Sequence, residues 1–426
     1  MIIDELMEYL LKNKDSRGIP DIPYLEWIDI IEKYDKDDIR QTIARYITSN
    51  KIPFPFKQMD EYSLKSLFYE FSKKSMLDMY KEFEDVGERY DYKYSYSKNP
   101  LGVIDKSHYY NPVSDIFQQK NRMRCGSNST FSPLEIWENE ERLSKMNWHF
   151  WRLNVLEQSD INAQTFRAGF RLGTYTATQF KPSVAKALYQ KHDAKKILDT
   201  SCGWGDRLAG FYASPKAETY VGCDPNPNVF ETYKDQCLFY EKVLGCSEPK
   251  ITEKEDFFRC EGVKEVEIWR KASEDVDWSL YVDFFDFYFT SPPYFETEKY
   301  NQSGKKQEDQ SWFRYGTFEE WKTNFLFKVT HDVWQTIKSD GFMMINIIEP
   351  RSRNNIRCNL CDDMVEKFST FDQCNYLGKI GMRMMARPNT DKKELRGVFI
   401  EPVWVFRKDS SKYEYNDRPS LERFFS

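Results

Sequence analysis

Residues 196–214 read KILDTSCGWGDRLAGFYAS, an apolar strand that breaks into a glycine turn and opens a helix. The pattern recurs downstream. ETYVGCDPNPNVFETYKDQCLFYEKV (218–243) is again strand, turn and helix, VEIWRKASED (266–275) is a short third strand, and VDFFDFYFTSPPYF (282–295) is a fourth that runs into a proline turn. Residues 316–348 give a helix, a glycine turn and a strand ending in MMINII; CNLCDDMVEKFSTF (358–371) is helical, and two strands follow near KIGMRMMA and VFIEPVWVFRK. Strands alternating with helices predict an α/β fold with a doubly wound sheet. The last two strands are antiparallel in aspect, so the predicted sheet is mixed.

Upstream the character differs. YLEWIDIIEKY (24–34) and YSLKSLFYEFSKKSMLDMYKEF (62–83) repeat apolar residues every three or four positions, as helices do. The two prolines of IPFPF (52–56) interrupt the pattern. Residues 91–130 are rich in Tyr, Asn and Ser and predict extended or irregular structure, and Ser132-Pro133 opens a further helix with proline in its first turn.

The chain has 426 residues, which predicts two or three domains. No apolar run is long enough to span a bilayer, and the acidic, amphipathic start MIIDELMEYLLKNKD lacks the marks of a secretory signal. A soluble, cytoplasmic protein is the expectation. Nine scattered cysteines predict reduced thiols. Cys358 and Cys361 are closely spaced, but a zinc site needs four ligands and only Cys374 lies near, so no metal is predicted. The net charge of −6 excludes strong non-specific phosphate attraction by the chain as a whole, and a nucleic-acid partner would require a local basic surface.

Two turns carry the chemistry. In DTSCGWG, Gly203 and Gly205 let the backbone approach a ligand at a strand's carboxyl end, and Asp199 can meet a polar or cationic group. Asp224 ends the second strand, where a carboxylate suits a pair of ribose hydroxyls; it could equally cap the helix that follows. There is no GxxxxGK[ST], and Leu208 replaces the third glycine of GxGxxG, which disfavours a nucleotide hydrolase and a nicotinamide enzyme. In the second turn, Thr290-Ser291-Pro292-Pro293-Tyr294-Phe295, two prolines fix the backbone and remove two donors. Its carbonyls are left to accept from an amino group, Ser291 adds a hydroxyl, and Tyr294 offers a face for stacking.

DTSCGWG resembles the S-adenosylmethionine motif, and TSPPYF the catalytic motif, of the amino-type DNA methyltransferases. The stretches Tyr294 to Tyr300, Gln310-Ser311, Glu319-Glu320-Trp321 and Gly341 resemble the family's downstream segment, and YTATQFKPSVAKALY (175–189) its upstream one. The resemblance covers roughly residues 170–407. It implies a Rossmann-like methyltransferase domain with a mixed seven-stranded sheet, S-adenosylmethionine as cofactor, and catalysis by Ser291, Pro292, Pro293 and Tyr294. It implies cofactor contacts from Thr178, Gln179, Phe180 and Pro182, from Asp199, Ser201, Gly203, Gly205 and Asp224, and from Ser273 or Glu274 at the adenine. Trp204 would pack on the cofactor or cover the helix.

The reaction implied is methylation of a base's exocyclic amino group. Serine before Pro-Pro favours cytosine N4; the order of the motifs, cofactor turn first, is commoner among adenine N6 enzymes. RNA or a protein glutamine is the alternative substrate, although glutamine enzymes carry Asn where Ser291 stands, and a non-catalytic nucleic-acid-binding module is the alternative class. Phosphate would meet Arg351, Arg353 and Arg357, with Lys120, Arg122 and Arg124, and Arg383, Arg387, Lys392, Lys393 and Arg396, as further clusters. The expected domains are a mainly helical accessory or target-recognition region (1–130), a helical linker (131–165), the methyltransferase domain (166–410) and a tail (411–426).

Overall fold

The computed structural model describes residues 2–82, 100–105, 107–127, 130–147, 159–297, 299–300, 304, 306–350, 358–384 and 400–409. Its centre is a single mixed sheet of eleven strands: β1 (Tyr80–Glu82), β2 (Pro100–Ile104), β3 (Lys196–Asp199), β4 (Thr219–Cys223), β5 (Lys250–Lys254), β6 (Phe257–Glu261), β7 (Glu265–Trp269), β8 (Phe285–Thr290), β9 (Ile337–Asn346), β10 (Cys374–Arg383) and β11 (Ile400–Lys408). They lie in the order β1-β2-β10-β11-β9-β8-β3-β4-β7-β6-β5.

The expected seven strands form the middle of this sheet, from β10 to β7. The count is corrected to eleven by a short pair at each edge. β5 and β6 precede β7 antiparallel, and β2 joins β10 in parallel while pairing with β1. β3, β4, β7, β8 and β9 are mutually parallel, and β11 runs antiparallel to both β9 and β10.

The central strands are apolar on both faces because helices cover both. Alternate residues serve opposite layers: Ile197, Tyr220, Phe287 and Phe289 face one buried cluster, while Leu198, Val221, Tyr288 and Met343 face the other. The Pro182–Lys191 and Asp206–Ala213 helices sit so close that a Cβ on Gly210 would lie 2.8 Å from Ala185 Cβ and 2.9 Å from the Pro182 carbonyl.

A third cluster joins residues 6–54 to residues 123–170, with Trp27, Tyr46, Trp137 and Phe170 at its heart. Residues 61–125 belong instead with the sheet: Phe68, Phe71, Leu101 and Val113 pack in the same cluster as Ile197 and Phe211. Packing therefore changes partner around residues 55–60, again near residues 123–125, and again near residue 170. Lys186 ties the parts together by donating to the carbonyls of Phe71 (2.5 Å) and Lys74 (2.8 Å) at the end of the Glu61–Lys73 helix. Burial pushes its amine down to about 8. Among the described residues no helix is long and apolar enough to cross a membrane.

Gly210→Ala should lower stability by about 1–3 kcal/mol, the usual penalty for overpacking a tight contact, without altering any strand. A thermal melt reads this, and an unchanged midpoint would mean the two helices can move apart freely.

Candidate active site

In open α/β sheets a ligand binds beyond the carboxyl ends of the strands where the strand order reverses. Here the reversal lies between β3, which leads to β4 and β7, and β8, which leads to β9. A cavity of about 750 Å³ opens there, within the usual range for small-molecule sites.

The two sequence turns meet in this cavity. Gly203 and Gly205 adopt φ of 57° and 68°, a region open to glycine at little cost. A side chain at 205 would also strike Gln236. Ser201, Gly203 and Asp224 line the wall, as do Thr178, Gln179, Phe180, Ser273 and all of Ser291, Pro292, Pro293 and Tyr294. Asp199 and Gly205 lie behind it. Asp199 is fully buried, accepting from Arg207 Nε (2.7 Å), Tyr220 Oη (2.7 Å), Thr290 Oγ1 (3.0 Å) and the Ser201 N–H (3.1 Å). Burial opposes the charge of Arg207, yet the neighbouring Asp199 carboxylate raises its affinity for the proton still further. Arg207 itself reaches the cavity wall.

Asp224 is not the helix cap, a role that Asn226 fills. Its carboxylate accepts from the Gly203 N–H (3.0 Å) and the Asn226 N–H (2.9 Å), and burial pushes it up to about 6 against those bonds. Asp206, unremarked in the sequence reading, has the same displacement for the same first cause. Its Oδ1 accepts from Ser114 and from Gln179 Nε2 (2.7 Å), while Oδ2 has no partner among the described residues. Gln179 also donates to the Asn111 carbonyl (2.9 Å) and Ser114 (3.0 Å), so its amide braces Asp206. Trp204 lines the cavity and meets Tyr300 edge-on at 5.7 Å.

The Ser-Pro-Pro-Tyr turn is held by a residue that the sequence did not mark. Asn346 ends β9, is 2% exposed, accepts from Ser291 Oγ at its side chain and from Tyr294 Oη at its backbone (both 3.3 Å), and is fixed by the Pro402 carbonyl at 2.9 Å. It is a polar residue closing an apolar strand, the same signal that marked Asp199 and Asp224. The Pro293 carbonyl accepts from the Phe295 N–H (3.1 Å), and among the described residues nothing donates to the Pro292 carbonyl. Phe295 has φ of 49°, a strained value for a bulky residue, held by burial of its ring against Phe318 and Trp321. Burial, and then the Glu401 carboxylate, raise the Tyr294 phenol well above its ordinary value. It is therefore neutral and cannot act as a base near pH 7. Glu401, Met382, Met384 and Ile348 complete the wall beyond it.

Arg351, Arg353 and Arg357 lie outside the described residues, as do Arg387, Lys392, Lys393 and Arg396. Arg122 is turned inward, paired with Asp115 at 2.7 Å and donating to the Ala177 carbonyl, and Arg383 pairs with Asp105 at 2.9 Å. All nine cysteines are free thiols.

No family model and no curated protein matches the sequence. Among solved structures, the chain is similar to Trm1 from Pyrococcus horikoshii in complex with S-adenosyl-L-methionine, at 13% identity and TM-score 0.32, over 55% of this chain and 57% of that one. It is similar to the Burkholderia thailandensis 1,6-didemethyltoxoflavin-N1-methyltransferase, at 11% identity and TM-score 0.31, over 54% and 78%. A third is the tRNA m1G37 methyltransferase of M. jannaschii, at 13% identity and TM-score 0.30, over 57% and 48%. The chain thus spans little more than half of Trm1 and under half of the M. jannaschii enzyme. Likeness at this level adds nothing to the strand order, which carries the fold by itself.

The displaced carboxyls have a measurable consequence. A carboxyl raised in the folded state contributes stability that is fully present below its ordinary value of 3.8 and is lost as pH rises through about 6. Asp206→Asn should therefore gain on the unmutated protein in ligand-free melts as pH climbs from 4 to 7, by on the order of 2 kcal/mol. A difference that stays constant across that window would mean that Asp206 titrates normally.

Proposed function

We propose that the chain is an S-adenosylmethionine-dependent methyltransferase that modifies the exocyclic amino group of a base in DNA, cytosine N4 in preference to adenine N6. One observation carries the reading: a single cavity at the sheet's reversal point collects the glycine turn, Asp224 and the Ser-Pro-Pro-Tyr turn. The residues present fit the cofactor. Gly203 admits close backbone approach, Asp224 suits the ribose hydroxyls, and the unpartnered Oδ2 of Asp206 marks a buried site for a donor or cation.

Bound S-adenosylmethionine supplies an electrophilic methyl group on a sulfonium. The amino group of a base is a poor nucleophile because its lone pair is delocalised into the ring. Ser291 Oγ and the Pro292 carbonyl accept its hydrogens and favour a tetrahedral nitrogen. Tyr294 stacks on the base once it has left the duplex, and Asn346 fixes both side chains in place. Acceleration comes from alignment and electrostatic arrangement; Glu401 on the same wall favours the positive charge that grows on the attacking nitrogen. Neither Ser291 nor neutral Tyr294 is a competent base, so the proton leaves after transfer, to water. Ser291 in the Asp or Asn position supports cytosine.

Incubation with methyl-labelled S-adenosylmethionine and DNA, RNA and protein, followed by nucleoside mass spectrometry, tests this. N4-methylcytosine in DNA is the expected product. N6-methyladenine would keep the class and reverse the base, and label confined to RNA or protein glutamine would replace the substrate. Two variants separate the roles. Tyr294→Ala should cut turnover at least about a hundredfold while leaving S-adenosylhomocysteine affinity intact, since its stacking acts on the base alone. Asp224→Ala should weaken that affinity about 10- to 100-fold, the range for hydrogen bonds to a charged group. Normal kinetics in both would remove the site assignment.

A further inference from the structure

Two side chains in the cavity wall hold polar atoms with nothing to bind. Gln310 and Ser311 are 5% and 7% exposed, both line the cavity, and neither Gln310 Nε2 nor Ser311 Oγ has a partner among the described residues. A buried polar atom left unmet is costly, and two adjacent ones in a cavity wall point to a ligand that meets them.

Their position says which part of a ligand. The segment that carries them is pinned to the residues just after β7: Arg314 pairs with Glu274 (3.0 Å) and Asp275 (2.8 Å), and Tyr315 Oη donates to Glu274 (2.8 Å). β7 is the neighbour of β4, whose end carries Asp224. A nucleoside with its ribose on Asp224 extends its base along the strand ends toward Ala272, Ser273 and Glu274, all in the cavity wall. Glu274 Oε1 is already spent on Arg314 and Tyr315, and the Ser273 carbonyl is spent on Trp278 Nε1 (2.9 Å). Gln310 and Ser311 share this cavity wall and bring to it the side-chain atoms that have no partner among the described residues.

We propose that Gln310 and Ser311 recognise the adenine of the cofactor, Gln310 Nε2 donating to a ring nitrogen and Ser311 Oγ accepting from the 6-amino group. This deepens the reading of the cavity as an S-adenosylmethionine site and rests on it. The chemistry is complementary. An amide nitrogen can only donate, so it takes the ring acceptor; a hydroxyl can accept, so it takes the amino hydrogen.

The experiment is calorimetric binding of S-adenosylhomocysteine and of its 6-desamino purine analogue to the full chain, unmutated, Ser311→Ala and Gln310→Met. The unmutated protein should bind the desamino analogue about tenfold more weakly than the parent, the usual effect of one lost hydrogen bond in a dry site. Ser311→Ala should bind the two with equal affinity, and Gln310→Met should bind the parent about tenfold more weakly. Ligand-free melting of Ser311→Ala should be unchanged or raised, because it deletes an unmet hydroxyl, which separates ligand recognition from a structural role. An undiminished desamino penalty in Ser311→Ala, together with full parent affinity in Gln310→Met, would overturn the inference and leave the cofactor reading standing. Failure of the unmutated protein to bind S-adenosylhomocysteine at all would overturn both.

Discussion

The buried pair of Asp199 and Arg207 is the constraint on which the rest of the site depends. One carboxylate at the end of β3 gathers a guanidinium from the helix after the glycine turn, a phenol from β4 and a hydroxyl from the end of β8. Three strands and the first helix are thereby locked in register at the point where the sheet reverses direction. Charges buried this deeply hold together only because each is met on several sides, and loss of one partner strands the other in a medium that cannot solvate it. The geometry of both turns is thus tied to one buried carboxylate. In sequence, the pattern of strand, acid and glycine is the same for a residue that binds a ligand and for one that anchors a turn.

What could be read from the sequence was whatever is local. A strand that stops in DTSCGWG, a strand that stops at Asp224 and one that stops at Ser-Pro-Pro-Tyr are each visible within a dozen residues, and the alternation of strands and helices follows from apolar runs of the right length. What could not be read depends on who meets whom. Asp206 looks like an ordinary first-turn acid until Ser114, far away in sequence, is found against it. Asn346 looks like the polar end of a strand until Ser291 and Tyr294 are seen to lean on it. The edge strands escaped for a different reason. β5 is largely exposed and β1 has only three residues, so neither carries the apolar run by which a strand is recognised. Likewise, nothing local in the N-terminal stretch shows that Trp27 and Tyr46 bury against one set of partners and Phe68 and Phe71 against another.

The cavity divides into a polar side and a soft side. Toward the glycine turn and β7 it is walled by carboxylates, hydroxyls and an arginine, a set that specifies one ligand. Toward β10 and β11 it is walled by Met382, Met384 and Ile348 beside Glu401. Methionine is unbranched and polarisable and packs against surfaces of differing shape. Such a division accords with the two-ligand site proposed above.

The pairing of β2 with β10 has a kinetic consequence. Ile104 lies opposite Met382, so this edge of the sheet closes only when a strand near the start of the chain finds one near its end. Loops of that length cost little at equilibrium, because closure entropy grows only logarithmically, but pairings so remote in sequence are slow to form. As the polypeptide emerges from the ribosome, β2 keeps an open edge until β10 has been made. The cavity is finished at the same late moment, since its wall runs from Ala168 to Glu401. The cavity therefore forms only once β11 has been made, and the growing chain's exposure to aggregation follows from the long sequence separation of β2 and β10.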